Sequence, residues 1–588
     1  MIKVSDYIAE FLVDKKIDKV FGMIGGAVAH IYDSVDKYKE IEVINTIHEQ
    51  AAGFAAEGYA RVTGKSGVAI ATSGPGATNL ITAIGSCYFD SVPTLFITGQ
   101  VNTYEYKYDK PVRQIGFQET DIVSIVKPIV KYAVMVNKAS DIRYELEKAY
   151  FLSQNGRKGP VLIDVPMDIQ RAEVNVSSLK KYQLKKNLTL SENDNINNKI
   201  KDVVSLLNNS KRLIVLVGGG VRLSNAEKEL LNWLKNYDIP VVYSLMGKDA
   251  IKSEYKHNLG LIGAYGNRYG NLAIANSDLL LVLGSRLDTR QTGTDIKTFA
   301  RKAKIIQVDI DKHEVGFKVD LEIGINSDVK DFINCLSKEK LDLKLDKWLK
   351  TLHSYKKKFP TTVGIDNKPK IPNTVIDDIS KYLASDEIIA IDVGQHQMWA
   401  AQSLITKNNQ RVLFSGGMGA MGFALPAAIG ASLALNKRII VIAGDGGIQL
   451  NIQELEIIKR RNLPIKIFVL NNNNLGMVRQ FQEIYFDKNY QGTVEDYSVP
   501  DLVSISRAYG INGRNIIDRK EIHVNLKNIF SNDEPELINI IFEKKMTGVE
   551  PKLIVNKPME DMYPFLEKDT LEELMIIDQY EADSEKDI

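Results

Sequence analysis

Three α/β blocks, each a doubly wound parallel sheet with helices on both faces, are predicted from the order of apolar runs along the chain. Short Val-, Ile- and Leu-rich runs recur at the spacing of βα units, segments of helical period lie between them, and polar connectors divide the series into three. In the first block the runs are DKVFGM, IEVINTI, GVAIAT, TLFITG and GPVLIDVP, and the block closes at Pro166. It opens on MIKVSDYIAEFLVDKKID, an amphipathic helix with charges throughout rather than the apolar core of a signal peptide. Residues 175–200 are Lys-, Asn- and Ser-rich without a sustained period and read as a linker. The second block has RLIVLVG, IPVVYS, DLLLVLG and KIIQVDI, and the charged, Pro-containing stretch 356–372 is a second connector. The third has EIIAID, RVLFSG, RIIVIA, IKIFVL and ELINIIF. The expected domains are therefore 1–174, 190–345 and 373–550, followed by a tail over 551–588. In that tail PMEDMYPFLEKDTLEELMI has enough apolar residues to dock as a packing strap, and the charged EADSEKDI reads as disordered.

Composition allows a large enzyme and excludes other classes. A chain of 588 residues, 44% hydrophobic and 25% charged, has ordinary globular usage and can bury several cores. Its net charge of +1 supplies no basic field for nucleic acid, which favours small uncharged or anionic ligands. Cys87 and Cys335 lack metal-ligand spacing and cannot form a disulfide framework, so a reducing compartment is expected. No apolar stretch approaches the ~20 residues that span a bilayer. A cytoplasmic protein with no membrane or nucleic-acid partner is the expectation.

The most specific chemical signal lies in the third block. Gly444-Asp445-Gly446 and Asn471-Asn472 are separated by the 24 residues 447–470. RIIVIA is a buried-strand run that empties into the Gly-Asp-Gly turn, residues 449–461 have helical period, and PIKIFVL is a second strand ending at the Asn run. In a parallel βαβ unit both segments leave the same carboxyl edge of the sheet, where such sheets bind ligands. Gly-Asp-Gly by itself is an ordinary turn. With this strand, helix and spacing, Asp445 and Asn472 can meet one ion, and a carboxylate, an amide oxygen and a backbone carbonyl suit Mg²⁺ carrying a diphosphate. Glycines beside Asp445 let backbone N–H groups approach phosphates. In the first block, Glu49 follows IEVINTI and opens a helix whose next residues, Ala51, Ala52, Gly53, Ala55 and Ala56, are small. A carboxyl group there is largely desolvated and can share a proton with a ring nitrogen, although macrodipole compensation is the commoner use of a Glu at a helix start.

VGQHQMWAAQ, SGGMGAMGFALPAAIG, GDGGIQLNIQEL and LNNNNLGMVRQFQ in the third block resemble motifs of acetohydroxyacid (acetolactate) synthase large subunits. HEQAAGFAAEGYARVTG, TSGPGATN, ITGQV and FQETD continue the likeness in the first block, and LGSRLDTRQTG and QVDID in the second. The resemblance implies three domains of the thiamine diphosphate enzyme type. It also implies a carboligase that decarboxylates pyruvate and transfers the two-carbon unit to a second 2-keto acid. The alternatives are a related decarboxylase, a carboligase with an aldehyde or keto-sugar acceptor, and a non-catalytic cofactor-binding relative.

Residue by residue, the likeness makes Glu49 the group that protonates the cofactor's aminopyrimidine ring, with Gln100 beside it in the catalytic set. Thiamine diphosphate falls to Gly25, Ser73, Gln395, His396, Gly419, Met421, Gly444, Asp445, Gly446, Gly447, Asn472, Asn474 and Met477. The Mg²⁺ ligands are Asp445, Asn472 and the main-chain carbonyl of Asn474. Substrate falls to Gly26, Ala27, Phe117, Gln118, Arg290 and Phe481. FAD, as a second cofactor without net redox work, falls to Gly218, Gly219, Gly220, Arg286, Asp288, Arg290 and Asp309. The GGG triplet alone also fits a strand cap. The family assembles each site between the first block of one subunit and the third of another, so a homodimer or homotetramer is implied, with a small regulatory subunit as a further partner. The family position of the tail makes a lid the alternative to a strap. Three departures bear on the second substrate: Met167, Thr289 and Phe481 stand where the family has Lys, Asp and Trp.

Overall fold

The computed structural model describes residues 1–183, 194–364, 366–407, 409–542, 548–550, 557–561, 563 and 566–580. These form two compact units. One, drawn from Met1–Lys185, Glu387–Gln397 and Arg411–Met546, holds the first and third sheets; the other, drawn from Lys186–Asp386, Met398–Gln410 and Thr547–Ile588, holds the second.

Besides a two-stranded antiparallel pairing of Ile2–Lys3 with Glu173–Val174, there are three sheets of six strands, all parallel. The first contains β1 (Lys19–Met23), β2 (Glu42–Asn45), β3 (Gly67–Ala71), β4 (Thr94–Gln100), β5 (Tyr132–Met135) and β6 (Pro160–Pro166), in the order β2-β1-β3-β4-β6-β5. The second contains β7 (Leu213–Val217), β8 (Val241–Tyr243), β9 (Asn258–Leu261), β10 (Leu279–Leu283), β11 (Lys304–Asp309) and β12 (Ile323–Asn326), in the order β9-β8-β7-β10-β11-β12. The third contains β13 (Ile388–Ile391), β14 (Arg411–Phe414), β15 (Ile439–Gly444), β16 (Ile465–Asn471), β17 (Asn512–Ile516) and β18 (Glu536–Ile541), in the order β14-β13-β15-β16-β18-β17. First and third sheets thus share one topology, with the order reversing between their first and third strands. The second sheet follows the 3-2-1-4-5-6 order of dinucleotide-binding folds.

Central strands are the continuous apolar runs of the sequence because helices cover both faces. All seven residues of β16 are buried, Lys466 among them, whose Nζ takes Asn532 Oδ1 (3.0 Å) and lies 3.7 Å from Glu536. Four strands had no such run: β5, β9, β12 and β17. Each lies at a sheet edge.

The helices differ from expectation in three places. The connector at 356–372 is shorter, since one helix runs Asp346–Lys358 and the next begins at Ile371. The helix after the Gly-Asp-Gly turn starts at Asp445 itself, Asp445–Gln449, and breaks at Asn451 before Ile452–Glu454 and Leu455–Arg460. Of the expected linker, residues 184–193 lie outside the described residues, and a helix already spans Asp194–Asn209. In the tail, Tyr355 and Asn276 donate to the Leu574 carbonyl (2.6 and 3.1 Å) and Glu560 pairs with Arg301, a strap on the second block. EADSEKDI lies outside the described residues.

Candidate active site

In a doubly wound sheet the ligand crevice opens outside the carboxyl ends of the strands where the order reverses. In the third sheet that point lies between β13 and β15, and the chain leaves them as Asp392–Gln395 and Gly444–Asp445. Asn472 leaves the adjacent β16. These side chains meet. Asp445 and Asn472 are 2% and 5% exposed. Asn472 Nδ2 donates to Gln395 Oε1 (2.9 Å), and Gln395 Nε2 donates in turn to Gln480 Oε1 (2.9 Å). Asn472 Oδ1 accepts one long bond from Asn474 N–H (3.3 Å). The same oxygen lies 3.2 Å from Asp445 Oδ1 and 2.9 Å from the Asn474 carbonyl oxygen, so three acceptors converge. Turning the Asn472 amide over supplies donors to Asp445 and Asn474 but sets oxygen against oxygen at Gln395 unless Gln395 and Gln480 turn as well. A hard cation among the three oxygens satisfies every partner as placed. The donor set therefore fits Mg²⁺.

Burial pushes the Asp445 carboxyl up to about 6, opposed by the Tyr497 hydroxyl that donates to its Oδ2 (2.9 Å). Burial also drives His396 down to about 3, so its imidazole is neutral, and its Nε2 is a buried atom without a hydrogen-bond partner among the described residues. An orphaned ring nitrogen at the switch point fits a phosphate oxygen. Gly444 and Gly394 admit this ring; a Cβ on either would lie 2.8 or 2.6 Å from it. Gly446 and Gly447 start the helix under Leu475 and Asp392, leaving no space for a Cβ. Met477 is half-buried in the helix Gly476–Tyr485.

The loop carrying Gly419 and Met421 is held by carboxylates. Asp392 accepts from Gly422 N (2.9 Å) and Ala424 N (3.1 Å). Asp90, from the first block, accepts from Gly416 N and Gly417 N (2.9 and 2.8 Å). Gly419 has φ +64°, a backbone that an L side chain rarely adopts. Met421 is half-buried, with its Cε 3.5 Å from the place a Cβ of Gly446 would take.

The first sheet repeats the arrangement with other residues. Between β1 and β3, Ala27 N–H donates to Thr72 Oγ1 (3.2 Å), and Gly25 packs where a Cβ would strike Thr72. Ser73 is buried and Gly26 exposed. Glu49 is the first residue of the helix Glu49–Thr63, whose N-cap His48 accepts from Gln50 N–H through Nδ1 (3.1 Å). It is 7% exposed, and its Oε2 accepts from Asn79 Nδ2 (2.9 Å). Gln100 ends β4 with its amide engaged: Nε2 donates to Thr120 O (2.7 Å) and Asp164 Oδ2 (2.9 Å), and Oε1 accepts from Val101 N–H (3.0 Å). Burial raises the Asp164 carboxyl to about 7.

Of the residues assigned to substrate, Gly26 and Ala27 belong to the first-sheet cluster and Gln118 packs on Gly74 beside Ser73, whereas Phe117, Phe481 and Arg290 are exposed. Phe117 is 85% exposed, on a loop held by Glu119 through the N–H groups of Lys107 (2.8 Å), Ile115 (2.7 Å) and Gly116 (3.2 Å). Gln118 adopts φ +63°. Phe481 is 49% exposed and packs on Tyr485 (ring centroids 4.7 Å apart) and Phe486.

In the second block, Gly218 and Gly220 pack against Gly284, and Gly219 against Met246. Asp288 caps the short helix Thr289–Thr292 by accepting from Arg290 N–H (3.1 Å) and also takes Arg286 Nε (3.3 Å). Arg290 is exposed. Asp309 ends β11 with Oδ1 accepting from Asp311 N–H (2.9 Å). A Cβ at any of the three glycines would press on Gly284 or Met246, so close packing by itself accounts for the GGG triplet.

Asn79, Asp90, Asp392, Glu454, Gln480 and Tyr497 were not expected from the sequence. Asp392 carried a usable signal, as the polar residue closing the strand EIIAID. Tyr497 carried none, lying 52 residues beyond Asp445 in an aperiodic stretch.

Comparison with known proteins places three domain families along the chain. Residues 2–125 match the thiamine pyrophosphate enzyme N-terminal TPP binding domain, 200–336 the central domain and 392–540 the C-terminal TPP binding domain. The chain is 37% identical over 547 residues to the acetolactate synthase large subunit of Lactococcus lactis subsp. lactis (strain IL1403), covering 92% of each. It is 39% identical over 546 residues to that of Cyanidium caldarium (90% of this chain, 92% of the relative). It is 37% identical over 558 residues to the chloroplastic acetolactate synthase of Arabidopsis thaliana (92% and 81%). Among the described residues no helix is long and apolar enough to cross a membrane.

Proposed function

Because the chain belongs to the acetolactate synthase large-subunit family of thiamine pyrophosphate enzymes, we infer that it is a thiamine diphosphate-dependent carboligase. It decarboxylates pyruvate and transfers the two-carbon unit to a second 2-keto acid. The observation that carries the site assignment is the convergence of Asp445 Oδ1, Asn472 Oδ1 and the Asn474 carbonyl at the switch point of the third sheet. Those three oxygens would hold Mg²⁺, and His396 Nε2 would donate to the diphosphate. When bound, thiamine diphosphate supplies a cationic ring that accepts the electron pair released as pyruvate loses CO₂.

The protein's part is to bind, orient and keep water out. Glu49, held by Asn79 at the buried helix start, would exchange a proton with the pyrimidine ring of the bound cofactor. Asp392 and Asp90 fix the ends of the loop that presents Gly419 and Met421. Gln100, clamped by Asp164, forms a rigid wall of the reaction space, and Gly25, Gly26 and Ala27 let substrate approach. Phe117 and Phe481 are too exposed to enclose a substrate in one chain, which supports a homodimer or homotetramer in which a second subunit covers them. A small regulatory subunit, a cytoplasmic location and FAD bound by Arg286, Asp288, Arg290 and Asp309 complete the proposal, with domains at 1–174, 190–345 and 373–550.

Incubation with pyruvate, thiamine diphosphate and Mg²⁺ followed by product identification tests the activity. Acetolactate is expected. Acetaldehyde as the sole product would mean a decarboxylase, and untouched pyruvate would overturn the substrate.

A further inference from the structure

The break in the helix after Asp445 has a partner in the first block. Asn451 leaves helical geometry (φ −134°), and its Nδ2 donates to Gly422 O (2.8 Å) and Gln50 Oε1 (3.2 Å). One turn on, Glu454 is 0% exposed, and its Oε2 accepts the main-chain N–H of Ile47 (3.2 Å). Its Oε1 is buried without a hydrogen-bond partner among the described residues. Among the described residues no Lys or Arg pairs with this carboxyl, and burial raises it to about 7. Its neighbours are main-chain N–H donors of the Ile47–His48 turn, Gln453, and Glu456, which opposes its charge.

A fully buried acid without an ion pair is expensive to keep. A neutral apolar side chain would pack there at lower cost but would strand the Ile47 N–H. That turn fixes where the helix Glu49–Thr63 begins and so where the Glu49 carboxyl stands. We propose that Glu454 is a positioning residue for Glu49, its carboxyl oxygen holding the Ile47–Glu49 turn at the height from which Glu49 exchanges its proton. The inference rests on the assignment of proton exchange to Glu49. Asn451 braces the same turn from Gln50 and ties it to the loop bearing Met421.

The test uses the full-length protein with thiamine diphosphate and Mg²⁺ and compares Glu454→Ala, Glu454→Met and Glu454→Gln. Two quantities are read, cofactor dissociation constant and the hydrogen-deuterium exchange rate at the thiazolium carbon. Misplacement by about an ångström costs on the order of 100-fold in a well-oriented step. Exchange in the Ala and Met variants should therefore slow roughly 10- to 100-fold with cofactor affinity within about 3-fold of wild type. Glu454→Gln, which keeps an acceptor oxygen, should restore exchange to within about 3-fold. Should Glu454→Ala not fold, Glu454→Met, close in volume and lacking a strong acceptor, decides the question. Unchanged exchange in the Met variant, affinity falling in step with exchange, or a Gln variant no better than Met would overturn the proposal. Glu49→Gln run alongside separates the two assignments. If it exchanges at the wild-type rate, the role of Glu49 itself is wrong; if it is slow while Glu454→Met is not, only the role of Glu454 fails.

Discussion

The first and third sheets have the same strand order and the same switch point, yet they present opposite chemistry there. At the third, Asp445, Asn472, Gln395 and Tyr497 form a buried polar cluster whose oxygens converge. At the first, a single carboxyl, Glu49, sits at the head of a helix packed with Ala and Gly, with one amide partner. The comparison teaches that topology fixes where a ligand goes, while the residues leaving the strands fix what kind of ligand it is. One edge gathers oxygen acceptors; the other seats one carboxyl at a helix start.

The largest effect should come from Asp445→Ala, which removes the anionic ligand of the cation site. Thiamine diphosphate and Mg²⁺ affinity should fall at least about 100-fold, the loss of the one charged ligand from a buried charge-assisted set, with the melting transition still cooperative. Retention at wild-type affinity in a calorimetric titration would show that the third edge is not a cation site.

Glu49→Gln is the matching break at the first edge. The amide keeps volume but cannot exchange the proton, so the variant should bind cofactor normally while thiazolium exchange slows by about 10²- to 10⁴-fold. If affinity and exchange fall together, the two edges do not divide the work as argued.

The pH response sharpens the contrast further. Folded, cation-free Asp445 takes its proton near pH 6, above the ~3.9 of an unfolded Asp. The folded state therefore holds more protons, and the contribution of Asp445 to stability declines as pH rises from about 4 through 6. A bound cation needs the ionised form, so Mg²⁺-dependent cofactor affinity should fall about tenfold per pH unit below 6. Fluorescence titrations between pH 5 and 8 can follow this. Affinity that stays flat from pH 5 to 7 would contradict it.

The smallest effect concerns Phe481. A single ring contact of this kind shifts selectivity by ~1 to 3 kcal/mol, and Phe481 is half exposed among Tyr485 and Phe486. The enzyme should make acetolactate from two pyruvates while favouring 2-ketobutyrate weakly, and Phe481→Trp should raise that preference. Competition between the two keto acids measures it. A strong 2-ketobutyrate preference in the natural protein would refute the argument.

The sequence by itself determined the three parallel sheets, the central strands and which residues stand at the two edges. Buried parallel strands must be apolar on both faces, and the Gly-Asp-Gly and Asn segments must end such strands to share an edge. Glu49 was legible for the same reason, as a carboxyl leaving an apolar strand into a helix of small residues. What escaped was whatever depends on residues far apart in sequence. The four unseen strands are all edge strands, where one side needs no neighbour and the continuous apolar run is lost. The supports of the site, Tyr497 on Asp445, Asp90 on Gly416 and Gly417, Asn79 on Glu49 and Glu454 on Ile47, reach across turns or between blocks. Only the tertiary structure decided these, because a buried polar group is satisfied by whichever donor the fold brings to it, and that choice leaves no period or spacing in the chain.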